Sequence, residues 1–458
     1  MITEGGKMEE FKFYLVADPH YFKNSLGARG KEYDDFMHYE QKCFAETQAI
    51  NEAVFDFLEK ADEADNVFFC GDLSFNGEKE SHLAFIEHLN KLRKSGKKVF
   101  VITADHDFKE KREDCFAYDE NGLNHPLNTK REELIDLYSD FGFKDAIAVD
   151  KQHLSYVAQL SDGVRLLALN NDGPEGGGRF FDDKHRSWIK EQCDKAKEDN
   201  QMMIAMNHYP LLPGQPVFNL ISGARQKDAG EVVPLLADNG VNICFTGHMH
   251  NQSINVITTE NGNKFYDVCT GSIIADPSVI RLVDIKDEKT VDIKTLDAPD
   301  FDWDTGGRSC KEYLSDMFDN MISNVLYDMA YDTDRMMNKF HLGKKAKPVV
   351  KMIGKFVNSL TVGGAGRLLH FKVDDSIKKV KIKDIATELV RMIFVGNQYM
   401  KEGTPKGDAV LGLFKRLNFV FKKITVKDIL GRELDMFDVL KNTVGNYDID
   451  DYNATLNL

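Results

Sequence analysis

Up to about residue 300, two patterns of apolar residues alternate along the chain. Six short runs are strand-like, over residues 11–17, 67–70, 99–103, 166–169, 202–206 and 241–246. Between them, apolar residues recur every three or four positions over residues 35–64, 78–94, 131–141, 184–197 and 229–237, which predicts helices. Residues 153–160 face 164–169 across Ser161-Asp162-Gly163, and residues 279–285 face 291–296 across Lys286-Asp287-Glu288, which predicts two antiparallel hairpins. Strands that alternate with helices, together with hairpins, imply an α/β fold with a mixed sheet or two stacked sheets.

Residues 297–308, Asp-Ala-Pro-Asp-Phe-Asp-Trp-Asp-Thr-Gly-Gly-Arg, concentrate proline, glycine and acids and mark a boundary. Beyond it, Tyr313, Met317, Met321, Val325 and Met329 recur at helical spacing, as do Ile385, Leu389, Val390, Ile393 and Phe394. The expected organisation is an α/β domain over residues 1–300, an all-α helical bundle over 309–444, and a loosely held polar tail over 445–458. Inside the bundle, the basic segment 344–355 reads as a solvated helix face over an apolar core face; the alternative is a surface for a membrane or an acidic partner.

A chain of 458 residues exceeds the about 250 to 300 that one core usually supports, so two domains are expected. Its 42% hydrophobic and 29% charged residues are those of a folded globular protein. The net charge of -15 opposes loose binding to nucleic acid, which depends on lysine and arginine displacing counterions, and no basic track argues for a nuclease. The seven cysteines include no Cys-x-x-Cys pair, and Cys70 and Cys244 sit inside apolar strands as reduced core cysteines do. Residues 1–10 carry no basic-then-apolar leader, and no apolar run reaches the roughly 18 residues that span a bilayer, so a cytoplasmic location without a membrane span is expected.

Each of the six runs ends on polar residues able to hold a metal: Asp18 and His20, Gly71-Asp72, Asp105-His106-Asp107, Asn170-Asn171-Asp172, Asn207-His208, and Gly247-His248-Met249-His250. Carboxyl ends of strands in an α/β sheet converge on one rim, so residues far apart in sequence become one site. Singly, each has an ordinary structural reading as a turn, a helix cap or a satisfied histidine. The pair His248 and His250 is sharper, because histidines two apart after a strand address one cation or two neighbouring ones. Asn170-Asn171-Asp172 and the glycine-rich residues 173–179 read as a surface turn, with a pocket wall or lid as the alternative.

In chain order, Asp18-Pro19-His20, Gly71-Asp72, Ala104-Asp105-His106-Asp107, His208 and Gly247-His248-Met249-His250 resemble the calcineurin-like metallophosphoesterase family. That family's pattern is Asp-x-His, Gly-Asp, Gly-Asn-His-Asp/Glu, a lone His and Gly-His-x-His. The resemblance covers about residues 11–300 and implies a two-sheet αββα sandwich with a binuclear centre of two divalent or mixed-valence ions of manganese, iron or zinc. It assigns Asp18, His20 and His250 to one metal, Asp105, His208 and His248 to the other, and Asp72 to a bridge. It implies a phosphoric ester hydrolase acting by attack of a metal-bridging hydroxide, with His106 stabilising the transition state or protonating the leaving oxygen and Asp107 in a supporting role as partner of a histidine or of backbone. For Asp107 the bland alternative is a helix cap.

Two departures matter. Ala104-Asp105 stands where the family has Gly-Asn, and an aspartate offers only acceptors and adds negative charge beside an anionic substrate. After Gly71-Asp72 the chain reads Leu73-Ser74-Phe75-Asn76-Gly77, without the arginine that grips phosphate in family members acting on phosphoproteins. That absence favours a small diester. The Asp-Leu-Ser-x-Asn-Gly form and the helical bundle resemble bacterial cyclic-nucleotide phosphodiesterases, with Asn76 and Asn170 as candidate substrate contacts. The alternatives are a phosphomonoesterase or Ser/Thr protein phosphatase, and a metal-binding scaffold degenerate at Asp105 whose helical domain contacts an unidentified partner.

Overall fold

The computed structural model describes residues 10–172, 180–221, 223–397, 400–421, 426–445 and 449–458. Two sheets stack face to face. The first has six strands in the order Ala454–Asn457, Thr290–Asp297, Val279–Asp287, Phe11–Val16, Asn66–Cys70, Lys98–Ile102. The second has seven, in the order Ser253–Thr258, Lys264–Cys269, Ile243–Thr246, Met202–Asn207, Val164–Leu169, Ser155–Ser161, Ala148–Asp150.

Sequence period explains the layering. In the first strand Phe13 and Leu15 point between the sheets while Tyr14 and Val16 point outward to helices, so both faces are apolar and the run is continuous. Asn66–Cys70 does the same, with Phe68 and Cys70 inward and Val67 and Phe69 outward. Helix Thr47–Lys60 covers the outer face of the first sheet through Ile50, Val54, Phe55 and Leu58. Asp183–Glu198 and Ala229–Ala237 cover the second through Ile189, Cys193, Val232, Val233 and Leu236. This is the expected αββα sandwich, and both hairpins form.

Three expectations change. The single helix over 35–64 is two, Lys31–Met37 and Thr47–Lys60, because residues between them turn inward: Cys43 N–H donates to the Ile274 carbonyl at 3.0 Å, and Phe44 stacks on Phe75 at 3.9 Å. The helix over 131–141 reduces to one α-helical turn, Leu134–Leu137, between two 3-10 turns. The polar tail is not loose, since Ala454–Asn457 pairs antiparallel with Thr290–Asp297 and Leu456 is buried between the sheets. Alternation in Ala-Thr-Leu-Asn, and not overall polarity, decides that segment.

The helical region comprises Cys310–Tyr331, Thr333–Lys339, Lys347–Ser359, Val362–Leu369, Ile382–Val395, Pro405–Phe421 and Met436–Gly445. Gly354 lets helix Lys347–Ser359 lie against the backbone of Met329 and Ala330, while Val349, Met352 and Ile353 stay exposed on its outer face. No helix among the described residues is long and apolar enough to cross a membrane, and all seven cysteines are free.

Arg281, fully buried, joins both sheets to the chain end. It donates to Thr270 Oγ1 at 3.0 Å, to the Cys269 carbonyl at 2.8 Å and to the Asp451 carbonyl at 2.9 Å. Removing it strands buried acceptors, so Arg281→Met is expected to cost about 3 kcal/mol in urea unfolding. A loss below about 1 kcal/mol would show that these carbonyls are satisfied otherwise.

Candidate metal centre

Parallel pairing of Phe11–Val16, Asn66–Cys70 and Lys98–Ile102 brings Asp18, His20, Asp72, Asp105 and His106 to one rim. In the second sheet, Met202–Asn207 and Ile243–Thr246 are also parallel and deliver His208, His248 and His250. Potential ligand atoms of Asp72, Asp105, His208 and His248 all lie within 4.8 Å of one another, and so do those of Asp18, His20 and His250. His20, Asp72 and His106 form a third such set, so Asp72 belongs to both halves.

Individual distances show how tight this is. His20 Nε2 is 3.0 Å from His250 Nε2 and 3.6 Å from Asp72 Oδ2, and His250 Nε2 is 3.4 Å from Asp18 Oδ1. His208 Nε2 lies 3.1 Å from Asp72 Oδ2 without the alignment of a hydrogen bond. Backbone carbonyls fix the imidazoles: His208 Nδ1 donates to Cys70 at 2.8 Å and His248 Nε2 to Gly223 at 3.1 Å. A carbonyl only accepts, so in the neutral imidazole the opposite nitrogen is the one that turns a lone pair to a metal, as metal-binding histidines require.

The backbone is strained where the ligands sit. Asp18, His20, Asp72, His248 and His250 have φ of 49°, 39°, 51°, 69° and 52°, a left-handed region costly for side chains with a Cβ. Close approach adds a second demand. A Cβ on Gly71, whose φ is +81°, would come 2.6 Å from His208 Nδ1, and one on Gly247 would collide with Asp18 Oδ2. The Asp18 carboxylate accepts the His248 amide at 2.9 and 3.0 Å, which ties the first strand end to the last.

Electrostatics favour a cation here. Burial disfavours the His208 imidazolium, yet Asp72 and Asp18 outweigh it and lift its pKa to about 10. Burial also opposes ionisation of Asp72, but His208, His106 and His20 hold it well below the usual carboxylate range. Burial and Lys42 push His106 down to about 4. A field that keeps His208 protonated is one that a metal ion can replace. The imidazole and carboxylate donors, the unaligned His208 Nε2 and the glycine cradles all fit a pair of such ions.

Asp150, His153 and His185 also gather within 4.8 Å. Their imidazoles, however, are parallel at 4.3 Å and 1°, so in-plane lone pairs cannot converge on one ion, whereas His208 and His248 stand at 70°.

Asp107 takes the supporting place expected of it, as a partner of backbone: Oδ1 accepts the Ser74 amide and Oδ2 the Ala104 amide, each at 2.8 Å, so it clamps two ligand loops together. Asn76 is buried and donates to the Asp114 carbonyl at 2.7 Å; Asn170 is buried and donates to the Thr103 carbonyl at 2.7 Å. Both amides hold loops. Asp172 instead receives Tyr209 Oη at 2.6 Å, and the Tyr209 ring packs against His208 and His248 at 5.0 and 4.8 Å. Its place directly after His208 is the only signal the chain carries for Tyr209. Residues 173–179 lie outside the described residues.

A model of the family described as calcineurin-like phosphoesterase matches residues 11–252. No curated protein matches the chain. Solved structures similar to it include a dimetal phosphatase from Danio rerio, at 14% identity and a TM-score of 0.44 over 62% of this chain and 95% of that one. A purple acid phosphatase from yellow lupin (Lupinus luteus) seeds matches at 13% identity and a TM-score of 0.42, over 65% of this chain and 53% of that one. Haemophilus influenzae NAD nucleotidase matches at 12% identity and a TM-score of 0.36, over 78% of this chain and 62% of that one.

Gly71→Ala is expected to weaken manganese affinity at least about tenfold by displacing His208, read by metal analysis after dialysis. Metal loading at pH 8 lies below the His208 value of about 10, so binding must displace its proton. Calorimetry in buffers of different ionisation enthalpy should show release of about one proton, fading above pH 10.

Proposed function

We propose that this chain, which belongs to the calcineurin-like phosphoesterase family, hydrolyses a small phosphodiester of the cyclic-nucleotide kind with two bound metal ions. The observation that carries the reading is the meeting of two donor groups at Asp72. In it, Asp18, His20 and His250 hold one ion, Asp105, His208 and His248 the second, and Asp72 serves both. Manganese, iron or zinc suit the mixture of imidazole and carboxylate. When bound, such a pair supplies Lewis acidity and a water acidic enough to attack phosphorus near neutral pH.

The chain's own residues do the rest. Asp107 and the His248 amide keep the ligand loops in register. His106 Nδ1 donates to the Phe75 carbonyl at 2.5 Å, which turns Nε2 toward the His20 and Asp72 side of the site. With its pKa pushed down to about 4, the ring keeps Nε2 as an acceptor, so His106 first takes up the proton that it then passes to the leaving oxygen. The balance is one water consumed: its oxygen bonds to phosphorus, the ester P–O bond breaks, and an alcohol and a phosphomonoester result. Leu73-Ser74-Phe75 supplies no arginine, and Asp105 adds negative charge, so a singly charged diester is favoured over a dianionic monoester.

A chelator is expected to abolish turnover of an aryl phosphodiester, and manganese to restore it. His106→Ala should then lower kcat about 10² to 10⁴-fold with metal content unchanged. Absence of turnover with manganese, iron and zinc on both diesters and monoesters would sink the reading. Loss of metal from His106→Ala would instead make His106 a ligand.

A further inference from the structure

The break between Lys31–Met37 and Thr47–Lys60 places a lysine beside the centre. Lys42 is 9% exposed, and its ammonium stands 4.7 Å over the ring of Phe75. Phe44 stacks on that ring at 3.9 Å and 8°, which leaves the other face to the ammonium. Phe75 borders the site directly: its carbonyl holds His106, and its ring lies 6.0 Å from that of His20.

The loop is held by three side chains of one helix. Asp328 accepts Tyr39 Oη at 2.6 Å and faces His38 Nε2 at 2.8 Å, and Asn324 donates to the His38 carbonyl at 3.0 Å. Beyond Lys42, Tyr313 donates to Glu46. Helix Cys310–Tyr331 therefore grips both ends of the segment that carries the lysine.

Among the described residues Lys42 Nζ has neither an ion pair nor a hydrogen-bond acceptor. The other lysine nearby, Lys109, is engaged, donating to the Asp105 carbonyl at 2.7 Å. Lysines are seldom buried without an anion, because desolvating the charge is costly unless a partner completes it. Here no anion is supplied by the described residues, and the ring on which the ammonium rests borders the site. Asp18, Asp72 and Asp105 direct three negative charges at the site, one more than the family's asparagine would give, and Lys42 offsets one.

We propose that Lys42 binds a non-bridging oxygen of the substrate's phosphoryl group, as the cation for which Gly71-Asp72-Leu73 offers no arginine. The assignment rests on the phosphoesterase reading above. Attack on a diester adds one negative charge at phosphorus, so Lys42 binds the transition state more tightly than the ground state and acts on kcat. For a monoester dianion the charge is already present in the ground state, and the same contact acts more on KM.

The test uses the metal-loaded full chain, with inorganic phosphate as binding probe and aryl diester and monoester as substrates. Lys42→Met keeps the apolar stem on Phe75 and removes the charge. It should weaken phosphate binding by calorimetry about 10- to 100-fold and lower kcat/KM for the diester by a similar factor, with metal content unchanged. Lys42→Arg should recover much of the loss. Unchanged phosphate affinity and kcat/KM, with only a lower melting temperature, would overturn the proposal and leave Lys42 as a support for Phe75. If the wild type turns over no ester, the phosphoesterase reading fails, and the phosphate affinities still decide for or against Lys42.

Discussion

Everything in this molecule depends on holding carboxylates, which repel one another, together with imidazoles at strand ends where the backbone is unfavourable. Five candidate ligands occupy left-handed conformations, each costing on the order of 1 to 3 kcal/mol, and such strain persists only where the surroundings over-determine it. The surroundings here do so. Gly71 and Gly247 admit His208 and Asp18 at distances no other residue would allow. Asp107 binds amides from two loops, Ser272 Oγ donates to the Asp18 carbonyl at 2.7 Å, and Thr246 Oγ1 donates to buried Asp267 at 2.5 Å beneath the last loop.

The helical region is an extension of that scaffold. The amide of Gln252, two residues after His250, donates to the Phe394 carbonyl at 2.7 Å at the end of helix Ile382–Val395. Asp451 accepts the amides of Ile254 at 2.9 Å and Asn397 at 3.0 Å, so the chain end and the helical region meet behind the same loop. On the other side, helix Cys310–Tyr331 grips the segment with Lys42. The helices thus brace both flanks of the rim.

Charge balance links the two departures from the family pattern. Asp105 adds an acceptor-only group, and Lys109 and Lys42 are the basic side chains that approach from the chain itself. Lys109 is tied to the Asp105 backbone, whereas Lys42 Nζ rests on the Phe75 ring.

The residues bearing metal-binding chemistry were legible in the chain, because each follows an apolar run whose period forces it into a sheet and whose end must therefore reach the rim. The sandwich was legible for the same reason: Phe13 and Tyr14 point to opposite faces, and both faces are apolar. Function of the remaining polar residues was not. Asn76 and Asn170 carry the right chemistry in the right place, but which way a side chain points is decided by neighbours distant in sequence, and theirs are backbone groups of adjoining loops. Lys42 was hidden by a helical period running through residues 35–64, which local spacing favours and tertiary contacts override: Ile274, Phe75 and Asp328 bend the segment inward. The C-terminal strand was hidden by its acidic flank, since four alternating residues become a strand only when an open sheet edge lies beside them. Local period determined which elements form and what chemistry ends them; packing between elements far apart in the chain decided which polar groups face the site and which hold it together.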